Sequence, residues 1–329
     1  MSTLPDPTTP LDKEQAAAAF AAMLDGGPSD EEIKDFLNRL SDRGETAIEI
    51  AAAATAMRER MIAISAPEGA IDVCGTGGDG LHTVNVSTAV AIVVAACGVP
   101  VAKHGNRAAS SKAGGADTLE ALGVRLDITP AEAEKQLADL GLCFLFAQRH
   151  HPALARLAPI RKAIGRRTIF NLTGPLANPA RVKRQIVGIA RPDYAGICAE
   201  AMRIIGMTHS MCVAGEDNMD ELSLCAANRI AELSGDEIRH YRIAPEDVGL
   251  PRYPHEALRG GDAAFNAAAL RRLLEGETGA YRDAVLLNAA GALIVAEVAS
   301  DWRDAMEEAA EAIDKGLANA LLNCWIAWK

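Results

Sequence analysis

The sequence predicts an α/β protein, in which a mostly parallel sheet is flanked by helices and joined to a small all-helical N-terminal domain. Three observations lead to this fold class. Residues 12–66 show helical periodicity with no strand pattern between the helices. From about residue 67, short apolar runs alternate with helical segments, which is typical of βαβ units. Aromatic residues are only 4% of the chain while alanine is abundant, which favours closely packed helices.

The composition along the chain predicts where the domains begin. Residues 1–10, rich in Pro and Thr, are predicted to be a disordered tail. Residues 11–68 form the predicted helical domain, in which the glycines at 26, 27 and 44 separate three or four helices. Residues 69–329 form the predicted large α/β domain.

The large domain begins with a βαβ unit. A buried strand is predicted at 70–74, a helix at 88–97 and a second strand at 99–102. A capping box at 129–132 begins another helix, which is followed by a strand at 142–146. Because parallel strands end at one edge of a sheet, ligands are expected at that edge.

The alternation continues to the end of the chain. Residues 150–180 are predicted to be a helix and a connection rich in Gly, Pro and Asn. Further predicted strands lie at 185–190, 210–214, 222–224 and 230–233, and further helices at 192–206, 264–275, 280–298 and 301–318.

Charge and cysteine content limit the partners and the compartment. A net charge of −11 argues against a nucleic-acid surface, because phosphate backbones need clustered Lys and Arg. The seven cysteines are scattered, as expected of thiols in a reducing compartment, and the N-terminal segment lacks the apolar core of a signal peptide. No uncharged apolar run approaches the length of a membrane span. We therefore expect a cytoplasmic protein that binds neither nucleic acid nor a membrane.

A glycine-rich loop follows the first predicted strand. Residues 72–88 read DVCGTGGDGLHTVNVST, with four glycines between Gly75 and Gly80. Such a loop lets backbone N–H groups approach an anion, and the short polar side chains from Thr83 to Thr88 begin an apolar helix, where an anion is favoured. A tight turn without a ligand is the simpler interpretation. The strand–loop–helix context favours phosphate binding, although no Walker lysine follows.

A basic segment at 101–123 follows the second predicted strand. Lys103, His104, Arg107 and Lys112 concentrate positive charge there in an acidic protein. A solvated surface loop is the alternative, and His104 is equally compatible with a structural role. The position beside the glycine loop favours a countercharge for phosphate.

A carboxylate cluster lies at 214–224, after another apolar run. Such clusters are usually solvated loops. At a strand end that faces a polyphosphate they hold Mg²⁺, which binds through carboxylates while keeping waters and phosphate oxygens. The three segments together predict a polyphosphorylated sugar as ligand, neutralised by Lys103, by Arg107 and by a metal that the acids recruit.

These segments together resemble the anthranilate phosphoribosyltransferases. The strings GTGGDG, NVST, KHGNRAASS, HHPA and GPLANPA and the pair Asp220–Glu221 occur in that family's order and spacing, from about Leu11 to about Leu322. The resemblance implies the fold shared with nucleoside phosphorylases, a homodimer formed through the helical domain, and a return of residues around 165–185 to that domain. It also implies transfer of the phosphoribosyl group from 5-phosphoribosyl 1-diphosphate to anthranilate.

The resemblance further implies a set of site residues. The 5-phosphoribosyl 1-diphosphate would be bound by Gly75, Gly78, Asp79, Thr83, Asn85, Val86, Ser87, Thr88, Lys103, His104, Gly105, Asn106, Arg107, Ala108, Ala109, Ser110, Ser111 and Gly115. Anthranilate would contact Gly75, Asn106 and Arg161, and Mg²⁺ would be held by Ser87, Asp220 and Glu221. Without the resemblance, Arg161 cannot be told from its neighbours Lys162, Arg166 and Arg167. Gly115 departs from the family, where a serine often contacts the sugar phosphate.

Two other functions compete with this interpretation. A pyrimidine-nucleoside phosphorylase shares the fold and also attacks a ribose anomeric carbon, but it uses phosphate as nucleophile and needs no diphosphate–metal site. The acidic pair and the NVST helix start favour the transferase. A non-catalytic relative that binds nucleic acid is disfavoured by the net charge of −11 and the intact motifs. No residue is assigned as a general base, because an aromatic amine is already neutral at pH 7.

Overall fold

A seven-stranded sheet is the centre of the large domain in the computed structural model, which describes residues 4–108 and 112–329. The strands are Ile71–Gly75 (β1), Val101–Gly105 (β2), Leu142–Phe146 (β3), Arg184–Gly188 (β4), His209–Gly215 (β5), Asn228–Ser234 (β6) and Glu237–Ile243 (β7). Their order is β3-β2-β1-β4-β5-β6-β7. The first five are parallel, and β6 and β7 are antiparallel. The predicted fold class is confirmed.

The described helices fall into an N-terminal group and a group that covers the sheet. They are Lys13–Asp25 (α1), Asp30–Arg43 (α2), Ala47–Arg60 (α3), Val86–Ala96 (α4), Gly115–Leu122 (α5), Pro130–Leu140 (α6), Ala147–His150 (α7), Leu157–Ile164 (α8), Ile169–Thr173 (α9), Ala195–Ile204 (α10), Ala263–Leu274 (α11), Ala280–Val295 (α12), Trp302–Asp314 (α13) and Leu317–Ala327 (α14). Among the described residues, none of these helices combines the length and apolarity that a membrane crossing requires.

Alternate residues of the strands enter two separate cores. Ile186 packs with α4 and α12 on one face of the sheet, whereas its neighbour Val187 packs with α10 and the N-terminal helices on the other. Successive side chains of a strand point to opposite faces, and here both faces are covered. This double burial is the reason why the parallel strands read as continuous apolar runs.

The N-terminal helices form a small bundle that the chain rejoins later. Each of α1 to α3 begins with a capping box. After β3 the chain returns, and α8 packs on α2 while α9 packs on α3. The return begins before residue 165, because residues 152–155 already contact α1 and α3, and Leu157 and Ile160 bury their side chains in the bundle core.

Residues 4–10 are ordered, which corrects the prediction of a disordered tail over residues 1–10. Leu4 and Leu11 are both buried in the bundle core, and Asp6 pairs with Arg39 at 2.8 Å. The prediction from composition is wrong here because two buried leucines are enough to fix a Pro/Thr-rich segment against the bundle. Residues 1–3 lie outside the described part of the chain.

Three elements differ from the predictions in an informative way. Residues 222–224 are not a strand, since their apolar side chains are buried but the backbone of Leu222 bonds to the Asn288 side chain instead of a neighbouring strand. The helix predicted at 301–318 is two helices, because Gly316 adopts φ 72° between α13 and α14. Strand β7 escapes prediction because most of its side chains are polar and exposed at the sheet edge.

Asn288 on α12 holds the segment after β5 in place. Its Oδ1 accepts from Leu222 N at 2.9 Å, and its Nδ2 donates to Leu222 O at 3.0 Å. Asn288→Ala should lower the free energy of unfolding by about 1–3 kcal/mol, because both backbone groups become buried without partners. Urea denaturation measures this. The matched control is Asn323→Ala, which removes an exposed amide that bonds Arg271 and should change stability little; equal effects would contradict the assignment.

Candidate active site

The carboxyl ends of the central strands open into one cavity of about 390 Å³. Its wall combines the three polar segments that the sequence singled out: the glycine loop after β1, the basic segment after β2, and the pair Asp220–Glu221 after β5. Arg161 of α8 also lines it. The expectation that these segments meet at one edge of the sheet is met by the topology.

Asp220 lies directly beneath the glycine loop. Its Oδ2 accepts from Gly77 N at 2.6 Å. A Cβ on Gly75 would lie 2.3 Å from that oxygen, and a Cβ on Gly188 would lie 1.6 Å from the Asp220 carbonyl oxygen. Glycine at the ends of β1 and β4 therefore allows the acidic segment to pass this close to the sheet.

Glu221 reaches the start of α4 and keeps one oxygen unused. Its Oε1 accepts from Ser87 N at 3.0 Å, while the buried Oε2 has no hydrogen-bond partner in residues 4–108 and 112–329. Burial and then Asp220 raise the pKa of Glu221 well above its usual value. Burial and then Asp79 raise the pKa of Asp220 to about 7. Three crowded carboxyls and a spare oxygen fit a divalent cation.

Lys103 supplies positive charge to the same corner. Its buried Nζ donates to Val73 O at 2.7 Å and to Ser87 Oγ at 3.3 Å. Burial lowers the pKa of Lys103, and the nearby Asp72 opposes that shift. Asp72 is fully buried in β1 and accepts from His104 N at 3.0 Å. Sequence reasoning missed Asp72, although a carboxylate inside an apolar strand is itself a signal, because it needs a partner.

The Asn85 amide is engaged within the fold at the start of α4. Its Oδ1 accepts from Asn266 Nδ2 at 3.0 Å and from Thr118 Oγ1, and its Nδ2 donates to Ala113 O at 3.3 Å. Tyr281 Oη also donates to the Asn85 carbonyl at 3.1 Å. Side chains from α5, α11 and α12 therefore fix the first turn of α4, where Val86 and Thr88 are buried.

His104 is a neutral wall of the cavity. It is buried, and its ring centroid lies 5.1 Å from that of His151. Burial, followed by the neighbouring histidines, lowers the pKa of His104 well below its usual value, and burial lowers the pKa of His151 to about 4. Both rings are thus uncharged at pH 7. The Nε2 atoms of both are buried without a hydrogen-bond partner in the described residues.

Three arginines near α8 and α9 have different roles. Arg161 lines the cavity, where burial lowers its pKa, and its side chain contacts Asn171 Oδ1 at 3.5 Å. Arg167 Nη2 donates to the Gly77 carbonyl at 3.0 Å, against the glycine loop. Arg166 instead bonds to Asn38 and Asp42 of α2. Sequence reasoning could not separate these side chains, and Arg167 is a site residue that it missed.

Arg107 pairs with two carboxylates in this structure, and its use as a phosphate countercharge stays a prediction. The guanidinium bonds to Asp117 at 2.9 Å and to Glu120 at 2.6 Å, and these carboxylates raise its pKa. Arg107 still borders the cavity, together with Gly105, Asn106, Ala108 and Gly115. The predicted residues Ala109, Ser110 and Ser111 lie outside the described residues.

The remaining predicted residues also border the cavity. Gly75, Gly78, Asp79 and Thr83 come from the glycine loop. A Cβ on Gly115 would lie 2.9 Å from Thr88 Oγ1, so this glycine leaves room for the Thr88 hydroxyl. Of the described residues that the sequence predicts to bind a substrate or Mg²⁺, only Val86 is absent from the cavity lining, and Lys112 of the basic segment is absent as well.

Sequence comparison covers both parts of the chain. Residues 8–61 match the glycosyl transferase family, helical bundle domain, and residues 67–319 match the glycosyl transferase family, a/b domain. The chain is 67% identical to an anthranilate phosphoribosyltransferase of Novosphingobium aromaticivorans, over 99% of each chain. It belongs to the anthranilate phosphoribosyltransferase family. A relative of the same name from Sphingopyxis alaskensis is 66% identical, over 99% of this chain and 98% of that one.

Solved structures of anthranilate phosphoribosyltransferases share the fold. The enzyme from Thermus thermophilus superposes with a TM-score of 0.92 at 41% identity, covering 98% of this chain and 99% of that one. The Saccharomyces cerevisiae enzyme in complex with PRPP and Mg superposes with a TM-score of 0.87 at 25% identity, covering 96% and 93%. The family resemblance inferred from the motifs is confirmed.

Gly78 provides a test of the glycine loop of this anthranilate phosphoribosyltransferase family member. Its φ is +77°, and a Cβ would lie 2.8 Å from Arg167 Nη2. Gly78→Val should weaken 5-phosphoribosyl 1-diphosphate binding by about tenfold or more while the protein stays folded, because a side chain on the cavity wall blocks close approach of the ligand to the backbone. The strain of a side chain at positive φ, about 1–2 kcal/mol, is common to this variant and its control. Calorimetry measures affinity, and circular dichroism checks the fold.

The matched control is Gly69→Val. Gly69 has φ +80° with nothing within 4 Å of its added Cβ, and it does not border the cavity. The control should carry the same backbone strain without the loss of affinity. Unchanged affinity in folded Gly78→Val would remove the loop from the site.

Proposed function

We propose that this protein transfers the phosphoribosyl group of 5-phosphoribosyl 1-diphosphate to the amine of anthranilate in the cavity described above, as a step of tryptophan biosynthesis. The observation that carries the proposal is the convergence of Lys103 and Glu221 on Ser87 at the start of α4, next to Asp220, which bonds to the glycine loop. The Lys103 ammonium and the N-terminus of α4 attract a diphosphate, and the two carboxylates can hold the metal ion bound to it. Family membership supports the same reaction.

The donor substrate lies on the glycine loop and the first turn of α4. Backbone N–H groups of the loop and the positive end of α4 attract its phosphates. Lys103, held by Val73 O and Ser87 Oγ, supplies a fixed positive charge that opposes the charge developing on the leaving diphosphate. Because these groups are in place before the reaction, little reorganisation accompanies bond breaking.

Mg²⁺ fits the acidic corner. Asp220, Glu221 and the Ser87 hydroxyl are the groups that would hold it, and the unpartnered Glu221 Oε2 is a free ligand atom among the described residues. When bound, the ion supplies positive charge that stabilises the leaving diphosphate. The yeast relative crystallised with PRPP and Mg supports this cofactor. Burial, followed by neighbouring carboxylates, raises the pKa values of Asp220 and Glu221, and a bound cation would favour their ionised forms.

Anthranilate lies between Arg161 and the loop, with Gly75 and Asn106 as further contacts. Arg161 is a partly desolvated cation with one long contact to an amide oxygen, so an anthranilate carboxylate gives it a stronger partner. The neutral rings of His104 and His151 add no second charge beside it. The aromatic amine needs no deprotonation before attack, so the protein acts mainly by orientation, which contributes about 7–11 kcal/mol in favourable cases.

Loss of anthranilate fluorescence tests the proposal. With the purified protein, anthranilate fluorescence should decrease over time as anthranilate is consumed when 5-phosphoribosyl 1-diphosphate and Mg²⁺ are both present. It should not decrease when either is omitted. A pyrimidine-nucleoside phosphorylase would instead use inorganic phosphate to cleave a nucleoside and release its base. Phosphorolysis without anthranilate consumption would replace the proposed function with that alternative.

We also propose that the protein is a cytoplasmic homodimer formed through the helical domain. Two apolar side chains of the helical domain are exposed, Ile48 at the start of α3 by 42% and Ile62 just beyond its end by 43%, and a contact between subunits would cover such surface. Light scattering in solution tests the mass, and Ile48→Glu should shift it toward the monomer. A monomeric wild type would contradict the proposal.

A further inference from the structure

A second group of side chains that can bind a metal is not used by the proposed reaction. Two of its members lie in the same β5–β6 connection as Asp220, and the third follows β7. Asp217, Cys225 and His255 each offer one ligand atom, and these atoms lie within 4.8 Å of one another. Asp217 Oδ2 is 3.4 Å from His255 Nε2. We propose that these three side chains bind one Zn²⁺ ion, at a site separate from that for Mg²⁺.

The chemical types of the three ligand atoms favour Zn²⁺ over Mg²⁺. A thiolate, an imidazole nitrogen and a carboxylate oxygen are the ligands that zinc takes in proteins, whereas Mg²⁺ prefers oxygen ligands alone. Three protein ligands leave a fourth position of the tetrahedron for water. Cys225 and His255 are both partly accessible, so an ion can reach them from solvent.

Binding is coupled to the release of a proton. Cys225 must lose its thiol proton to the solvent when the sulfur–metal bond forms. Burial raises the pKa of Cys225, as do the nearby Asp217 and Glu256, while a hydrogen bond with Ser223 opposes that shift.

Ser223 holds two of the ligands in position. Its hydroxyl donates to Asp217 Oδ2 at 2.7 Å and accepts from Cys225 N at 2.9 Å. Asn228 in turn accepts from Ser223 N at 2.6 Å and donates to Ser223 O at 3.0 Å. This network fixes Asp217 relative to Cys225 before any ion arrives, which reduces the ordering cost of binding.

His255 comes from a different segment, so the ion joins two parts of the fold. That segment is attached near the ligands, since Tyr253 N donates to Leu224 O at 3.1 Å. Further on, Leu258 O accepts from Val84 N at 2.9 Å and Gly260 N donates to His82 O at 2.8 Å, which supports the glycine loop. Zn²⁺ therefore links the acidic connection to the segment on which the glycine loop rests, and it should stabilise both.

Co²⁺ is the probe that tests this site, because a cobalt–thiolate bond gives a near-ultraviolet charge-transfer band that oxygen ligands do not give. Metal-free protein titrated with Co²⁺ should develop the band up to one equivalent. Zn²⁺ should abolish it, and excess Mg²⁺ should not. Cys225→Ser should lose the band, and His255→Gln should weaken Co²⁺ binding by about tenfold or more.

Two controls separate this site from other thiols and from the proposed active site. Cys324→Ser, which removes an exposed cysteine, and the Asp220→Asn, Glu221→Gln double variant should both keep the band. Zn²⁺ should raise the Tm of wild type and of Cys324→Ser but not of Cys225→Ser. A band that is absent from wild type, survives in Cys225→Ser, or disappears in either control would overturn the proposal. None of these readouts uses activity, so failure here is distinguishable from failure of the proposed function.

Discussion

Changing Asp220 to Asn and Glu221 to Gln together should reduce turnover by about 10³-fold or more at limiting Mg²⁺. The two carboxylates are the groups that would hold the ion, and removing a single preorganised stabiliser of developing charge already costs about 10²–10³ in rate. Steady-state kinetics across a Mg²⁺ titration measures the loss. A double variant with wild-type turnover at limiting metal would show that the metal binds elsewhere.

The fold itself should tolerate this double change. Burial raises the pKa values of Asp220 and Glu221, with a further contribution from Asp79 to the first and from Asp220 to the second. Their ionised forms therefore destabilise the folded state at neutral pH, and neutral amides relieve that penalty. The Tm of the double variant should therefore equal or exceed that of wild type. Glu216→Gln is the matched control, because Glu216 lies in the same connection but pairs with Arg242 at 2.8 Å on the surface. It should keep wild-type turnover.

Arg161→Ala should raise the KM for anthranilate by about 10- to 100-fold, while the KM for 5-phosphoribosyl 1-diphosphate changes much less. A hydrogen bond to a charged group contributes about 1.5–3 kcal/mol, and a guanidinium can hold a carboxylate through two such bonds. The donor substrate instead rests on the glycine loop and Lys103. Kinetics with each substrate varied in turn measures the asymmetry.

Lys162→Ala is the control for Arg161→Ala. Lys162 is the next residue on α8, carries the same charge and is exposed, and it does not border the cavity. Its loss should leave both KM values near those of wild type. Equal changes in the two KM values of Arg161→Ala would contradict the acceptor assignment, and a nucleoside phosphorylase, which binds no carboxylate here, predicts no asymmetry.

The sequence is sufficient to predict the parts of the site that depend on local pattern and sheet topology. The glycine loop, Lys103 and Asp220–Glu221 each follow an apolar run, and parallel strand ends share one edge, so their meeting can be expected. Side-chain contacts between segments that do not follow from local pattern or strand order cannot be predicted in this way. Arg107 pairs with Asp117 and Glu120, residues that belong to a helix the sequence did not predict.

The errors in the fold have a similar origin. Leu222 and Leu224 read as a strand because apolar burial is a property of side chains, whereas a strand also needs a backbone partner, and here Asn288 takes that place. Leu4 is read as part of a flexible tail because local composition does not reveal a distant hydrophobic pocket. In both cases the deciding partner lies far away in the chain.

Arg166 and Arg167 are consecutive in the chain, and their side chains bond to two different parts of the protein. The first is fastened to Asn38 and Asp42 of α2, and the second to the carbonyl of Gly77. Because adjacent Cα atoms lie about 3.8 Å apart, these contacts join α2 to the glycine loop across a single peptide unit. The small helical domain therefore contributes a direct contact to the backbone that is proposed to bind phosphate.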